Sequence, residues 1–128
     1  MTKPGYPVTL RLEGRRCLVV GGGVVAARKI ASLLECGAAV TVVAPSVHVA
    51  LGILSSQGAI DAIEDSPLDV QIRPYRAGEA ASYRLVVAAT GDREVNTAVR
   101  HDAEAAGVWV NSADDPANCT FTLPAVYR

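Results

Sequence analysis

The chain has 128 residues, half of them hydrophobic but only 5% aromatic, and a formal net charge of -1 from 12 basic and 13 acidic side chains. An aliphatic core in one domain's worth of chain favours an α/β sheet with small helices packed on it and argues against an all-β or disulfide-rich fold. The interspersed charges exclude a basic surface for nucleic acid or an anionic membrane, and no apolar run approaches the ~18 residues that span a bilayer, so neither partner is expected and the location expected is cytoplasmic.

In chain order, Thr9 to Leu12 predict a short lead-in strand, and "EGRR" a turn after it. Cys17 to Val20 form an unbroken apolar run, the pattern of a strand buried on both faces of a parallel sheet. After three glycines, Ala27, Ile30, Leu33 and Leu34 recur at helical spacing, with Gly37 as C-cap. "AVTVVAP" (Ala39 to Pro45) is a β-branched strand closed by proline, and Ser46 caps a further helix striped by Val47, Ala50, Leu51 and Leu54. "AIDAI" and "DVQIRPY" alternate like edge strands, Pro74 keeping the second from the sheet centre. "RLVVAAT" (Arg84 to Thr90) is another apolar strand, and Arg93 to Ala106 a helix with Val95, Ala98, Val99 and Ala103 inward. Gly107 ends that helix before a last strand, "VWVN" (Val108 to Asn111). Strands and crossover-length helices alternate, which predicts a Rossmann-like, doubly wound parallel sheet in a single domain over residues 1–128.

"GGGVVA" matches G-x-G-x-x-A at Gly21, Gly23 and Ala26. Gly21 suits a sharp strand-to-helix turn, Gly23 lets backbone approach a pyrophosphate, and Ala26 lets the helix lie close on the sheet. The helix N-terminus near Val24 and Val25 then offers free N–H groups to phosphate. An NAD-type fingerprint puts an acid about 20 positions on, to bind the ribose. Here Val43, Ala44, Pro45 and Ser46 leave the ribose to backbone groups and the Ser46 hydroxyl. That position does not decide between NAD and NADP, although the lack of a basic group for a 2′-phosphate favours NAD.

Four stretches, "YPVTLRLEGRRCLVVGGGVVAARK", "GAAVTVVAPS", "VVAATGDREVN" and "VNSADDPANCTFTLPAV", resemble in this order the amino-terminal dehydrogenase domain of siroheme synthase and its stand-alone relatives, the precorrin-2 dehydrogenases and bifunctional dehydrogenase/ferrochelatases. The resemblance implies NAD-dependent oxidation of the tetrapyrrole precorrin-2 to sirohydrochlorin, with Fe²⁺ as a second substrate in members that also insert iron. It implies a phosphate-binding turn at Gly21, Gly22, Gly23, Val24 and Val25, an adenosine side at Ala44, Pro45 and Ser46, and a strand end near the nicotinamide at Ala89 and Thr90. The family's essential aspartate falls on Asp114 in "NSADDP", where a carboxylate at a strand's C-terminal end can accept the proton that accompanies hydride loss. The chain departs from the family at Gly91, where aspartate is frequent, and in a longer segment from Ile60 to Tyr83. Family members are homodimeric through a mostly helical region past "LPAVYR"; with the chain ending at Arg128, weak or absent dimerisation is expected, with turnover at risk and NAD binding kept.

Several residues also have plainer readings. "ADDP" is by itself a turn signal, and Asp115 reads as its turn residue. Arg28, Lys29, Arg93 and Arg100 are candidates to meet a polycarboxylate substrate, or belong to solvated helix faces. His48 and His101 read as surface residues, and Asn96 as fixing a helix N-terminus. Cys17, Cys36 and Cys119 lack C-x-x-C spacing; the first two read as core fillers, the third has no histidine partner by motif, and no resident metal is expected. The alternative function, from another class, is an NAD-binding regulatory or non-catalytic Rossmann module.

Overall fold

The apolar run that follows the first turn becomes the middle strand of the sheet, and every other element is arranged around it. The computed structural model describes residues 3–47, 68–113 and 119–121. Their elements are β1 (Arg16–Val20), α1 (Val24–Glu35), β2 (Ala39–Ala44), β3 (Leu68–Ile72), a 3₁₀ turn (Glu79–Ser82), β4 (Leu85–Ala88), α2 (Arg93–Ala105) and β5 (Trp109–Ser112). The five strands are parallel in the order β3-β2-β1-β4-β5. This is the predicted α/β Rossmann-like sheet, with the order reversing at β1.

Alternation along β1 explains why the run carries no polar residue. Cys17 and Val19 pack with Ala26, Ile30 and Leu33 of α1 on one face, while Leu18 and Val20 pack with Val99 and Ala103 of α2 on the other. A strand covered on both sides has no solvent face to make polar. Burial also pushes the Cys17 thiol up to about 11, which suits an inert core filler. Both helices end as their glycines predict: with Gly37 at φ 80° and Gly107 at φ 73°, the N–H of Ala38 reaches Leu33 O and that of Val108 reaches Ala103 O.

Several expectations need correction. Thr9 to Leu12 form no strand; only Leu12 is buried, and Gly14 at φ 71° turns the chain into β1. Cys36 is exposed rather than core, because it follows the last turn of α1. Ala98 is exposed on α2, where Asn96, Val99 and Ala103 are the buried positions. "DVQIRPY" does supply an edge strand, β3, with Pro74 beyond its end. The helix expected after Ser46 and the strand expected at "AIDAI" lie outside the described residues.

The link from β3 to β4 is braced within itself and fastened to α2 by polar contacts. Arg73 forms a two-bond pair with Glu79, one bond being 3.0 Å from Nη1 to Oε2. The Tyr75 hydroxyl donates to Asp102 of α2 at 2.7 Å and accepts from the Ala80 N–H at 3.1 Å, while the Gly78 N–H also donates to Asp102, at 2.9 Å. Hydrogen bonds from Arg73 hold the Glu79 carboxyl below its ordinary range, and those from Tyr75 and Gly78 do the same for Asp102. A carboxyl lowered by folding contributes stability above its unfolded pKa and loses it as pH falls through the lower folded value. Thermal melts should therefore show stability falling as pH drops below about 4, and Asp102→Asn, which removes one titrating group, should make that fall shallower.

Candidate functional site

The parallel register brings all five strand ends level. Val20 pairs with Val43 and Ala88, Ala44 with Ile72, and Ala88 with Ser112. Backbone bonds extend the ladders by one residue, Gly21 N to Val43 O at 2.9 Å and Ala89 N to Val20 O at 2.8 Å. The glycine turn thus leaves the sheet at its carboxyl edge, beside the point where strand order reverses and where α/β sheets bind ligands.

Each of the three glycines meets a different constraint. Gly21 has φ 136°, and a Cβ there would strike the Ala89 carbonyl of the neighbouring strand end. A Cβ on Gly22 would strike the Ser46 carbonyl, with Val47 Cα at 3.0 Å and the Ala44 Cβ at 3.1 Å. Gly23 has ordinary extended backbone, φ -90°, and a Cβ there would meet nothing within 4 Å. Packing explains the first two; the third faces open space.

That space is a cavity of about 490 Å³, bounded by Gly21, Gly22 and Gly23, by Ala44, Pro45 and Ser46, and by Ala89 and Thr90. Val24 and Val25, the other two positions singled out from the sequence, do not line it; their side chains are exposed in the first turn of α1. Their part in the expectation concerns backbone N–H groups, which a first helical turn leaves without intrahelical partners. The N-termini of the two helices differ in the way an anion would require. α1 has Gly23 as N-cap, no side-chain cap and no acid in its first turn. In α2, Asp92 caps the Glu94 N–H at 2.9 Å and Glu94 adds a second acid. Of the two helix N-termini among the described residues, the α1 end alone is left for an exogenous negative group.

The β4 end is fixed by a residue whose role the sequence indicates incompletely. Asn96, buried in α2, accepts from the Thr90 N–H at 3.1 Å and from its hydroxyl at 2.7 Å, and donates to the Thr90 carbonyl at 3.1 Å. Capping of α2 falls to Asp92, so Asn96 holds the cavity wall rather than the helix end. An asparagine on the inward face of an apolar helix stripe is the sequence signal for such a tie.

Asp114 and Asp115 lie outside the described residues. The residues on either side of them are anchored: Cys119 Sγ accepts from the Ser112 N–H at 3.1 Å and donates to its carbonyl at 3.3 Å, and Thr120 bonds to Val110 of β5. Cys119 is thereby a structural tie. Of the basic candidates, Arg28, Lys29, Arg93 and Arg100 line neither this cavity nor its neighbour, and Arg100 pairs with Glu104 at 3.3 Å on the surface of α2. His101 is exposed, and His48 lies outside the described residues. Among the described residues no helix is long and apolar enough to cross a membrane.

The arrangement fits a dinucleotide: a backbone cradle, an uncapped helix N-terminus and a level strand edge. Comparison with known proteins points the same way. Residues 8–125 match the family model described as "Putative NAD(P)-binding". The siroheme synthase of Nitrosococcus oceani is 43% identical over 120 residues, 94% of this chain and 24% of that protein. The siroheme synthase of Methylococcus capsulatus is 40% identical over the same shares. A solved structure titled "SirC, precorrin-2 dehydrogenase" superposes with a TM-score of 0.75 at 31% identity, covering 97% of this chain and 57% of that one. The chain therefore spans about a quarter of the length of the siroheme synthases it matches.

Two alanine variants separate fold from binding at the turn. Gly23→Ala should leave stability within about 1 kcal/mol, since extended backbone at an N-cap accepts alanine, yet weaken NAD binding tenfold or more in a titration. Gly21→Ala, strained at positive φ and blocked by Ala89, should cost at least about 2 kcal/mol in a denaturant melt.

Proposed function

We propose, from the premise that this chain belongs to the NAD(P)-binding family, that it is an NAD-dependent precorrin-2 dehydrogenase module, oxidising precorrin-2 to sirohydrochlorin on the way to siroheme. The observation that carries this reading is the cradle at the carboxyl edge. Gly22 is filled by the β2 loop and Gly23 is open to the cavity, which is the packing a pyrophosphate needs between a strand end and a helix N-terminus. The siroheme synthase relatives and the precorrin-2 dehydrogenase neighbour support the substrate.

In this reading the N–H groups of Gly22 to Val25 hold the pyrophosphate, Ala44, Pro45 and Ser46 take the adenosine side, and Ala89 and Thr90 support the nicotinamide side. NAD, when bound, supplies the hydride acceptor. Dehydrogenation removes a hydride and a proton, and Asp114, two positions beyond the end of β5, takes the proton. Asn96 keeps Thr90 fixed while this happens, so that the β4 end needs no rearrangement when the dinucleotide arrives.

Anaerobic incubation of precorrin-2 with NAD should produce the sirohydrochlorin absorbance, and Asp114→Asn should lower turnover at least 100-fold while NAD still binds. Equal turnover by the variant would remove Asp114 from the reaction. NADP should bind at least tenfold more weakly than NAD, because none of the described residues lining the site is Arg or Lys to meet a 2′-phosphate; equal affinities in a competition titration would contradict this.

A further inference from the structure

A second cavity, of about 510 Å³, adjoins the glycine-turn cavity and shares Pro45, Thr90 and Gly91 with it. Its walls come from both sides of the reversal point: Pro45 and Pro74 beyond β2 and β3, the ring of Tyr75, and Val95 and Ala98 on α2. Asp92 and Glu94 also border it, with no Arg or Lys among the described lining residues. A cavity bordered by carboxylates repels a polycarboxylate tetrapyrrole and suits a neutral, planar base that carries an amino group. The two cavities thus stand side by side across shared walls, the glycine turn and the α1 N-terminus bordering one and apolar side chains the other.

The exposed Ala98 also finds its explanation here, as a small residue on the cavity wall rather than a failed core position. Tyr75 is the one aromatic ring among the described residues that line the cavity, and its setting is over-determined. Its hydroxyl bonds Asp102 at 2.7 Å and the Ala80 N–H at 3.1 Å, and Asp102 also takes the Gly78 N–H. Asp102 therefore fixes both the ring and the loop that carries it to α2, the helix that supplies the opposite wall. The direction of titration agrees: the bond from Tyr75 lowers the Asp102 carboxyl, while burial first and the bond to Asp102 second raise the Tyr75 hydroxyl.

We propose that Asp102 is a positioning residue for cofactor affinity: through Tyr75 it sets the width of the second cavity, in which the adenine of the dinucleotide lies between the Tyr75 side and the Val95–Ala98 face. This rests on the dinucleotide reading above and adds to it two residues outside the glycine motif, with a purine base as the ligand they select.

The test is a set of titrations with NAD and with nicotinamide mononucleotide, which carries a phosphate and the nicotinamide but no adenine. Asp102→Ala should weaken NAD about tenfold and leave the mononucleotide unchanged, so the ratio of the two affinities falls by that factor. Asp102→Asn, which keeps an acceptor for the Tyr75 hydroxyl, should restore most of the ratio, a rescue that a general loss of stability would not give. Should Asp102→Ala fail to fold, Tyr75→Phe, which keeps the ring but releases it from α2, should lower the same ratio. An unchanged ratio in the folded variants, or an equal loss for both ligands, overturns the assignment while leaving the dinucleotide reading intact. Failure of the unaltered chain to bind NAD at all overturns both.

Discussion

The close approach of three chain segments at the end of β1 is the constraint on which the site depends. Gly21 lies against the Ala89 carbonyl and Gly22 against the Ser46 carbonyl, so the turn is wedged between the ends of β4 and β2 with no room for a side chain at either position. That wedge sets where α1 begins and aims its N-terminus across the strand edge. It also leaves Gly23 as the only glycine of the three without steric need of being one for the fold.

From the wedge outward, electrostatics and packing divide the edge of the sheet into distinct parts. The α1 end is uncapped and free of acids, whereas the α2 end is closed by Asp92 and flanked by Glu94. That difference favours an anion at the first and disfavours one at the second. On the α2 side the Tyr75–Asp102 tie and the Arg73–Glu79 pair hold the β3–β4 link, and Asn96 holds Thr90. The site is therefore built on groups whose positions are settled before any cofactor arrives, which lowers the ordering cost of binding.

The fold was legible because its signals are periodic. An unalternating run at Cys17–Val20, helical spacing from Ala27 to Leu34 and glycine caps at Gly37 and Gly107 each state a local preference that the tertiary structure satisfies. Thr9–Leu12 misled because β-branched and apolar residues in a short stretch meet the strand pattern whether or not a partner strand is available. Ala98 misled because a 3.6-residue period locates a helix face only to within a neighbouring position, and Cys36 because its apolar surroundings in the sequence belong to a helix end that it follows rather than to the core. The glycine turn could be read as a motif, but the separate reasons for Gly21, Gly22 and Gly23 could not, since they depend on which segments lie opposite. The Tyr75–Asp102 tie joins residues far apart in sequence on different elements, and nothing local marks either partner.

The central claim is that two adjoining cavities at the carboxyl edge of the sheet together receive a dinucleotide. Its most direct test is an amide-resolved NMR titration of the isotope-labelled chain with NAD. The account predicts saturable shifts confined to Gly21–Val25, Ser46 and Thr90 around the first cavity and to Tyr75, Val95 and Ala98 around the second. Saturable shifts clustered elsewhere, or none at millimolar NAD, would contradict it.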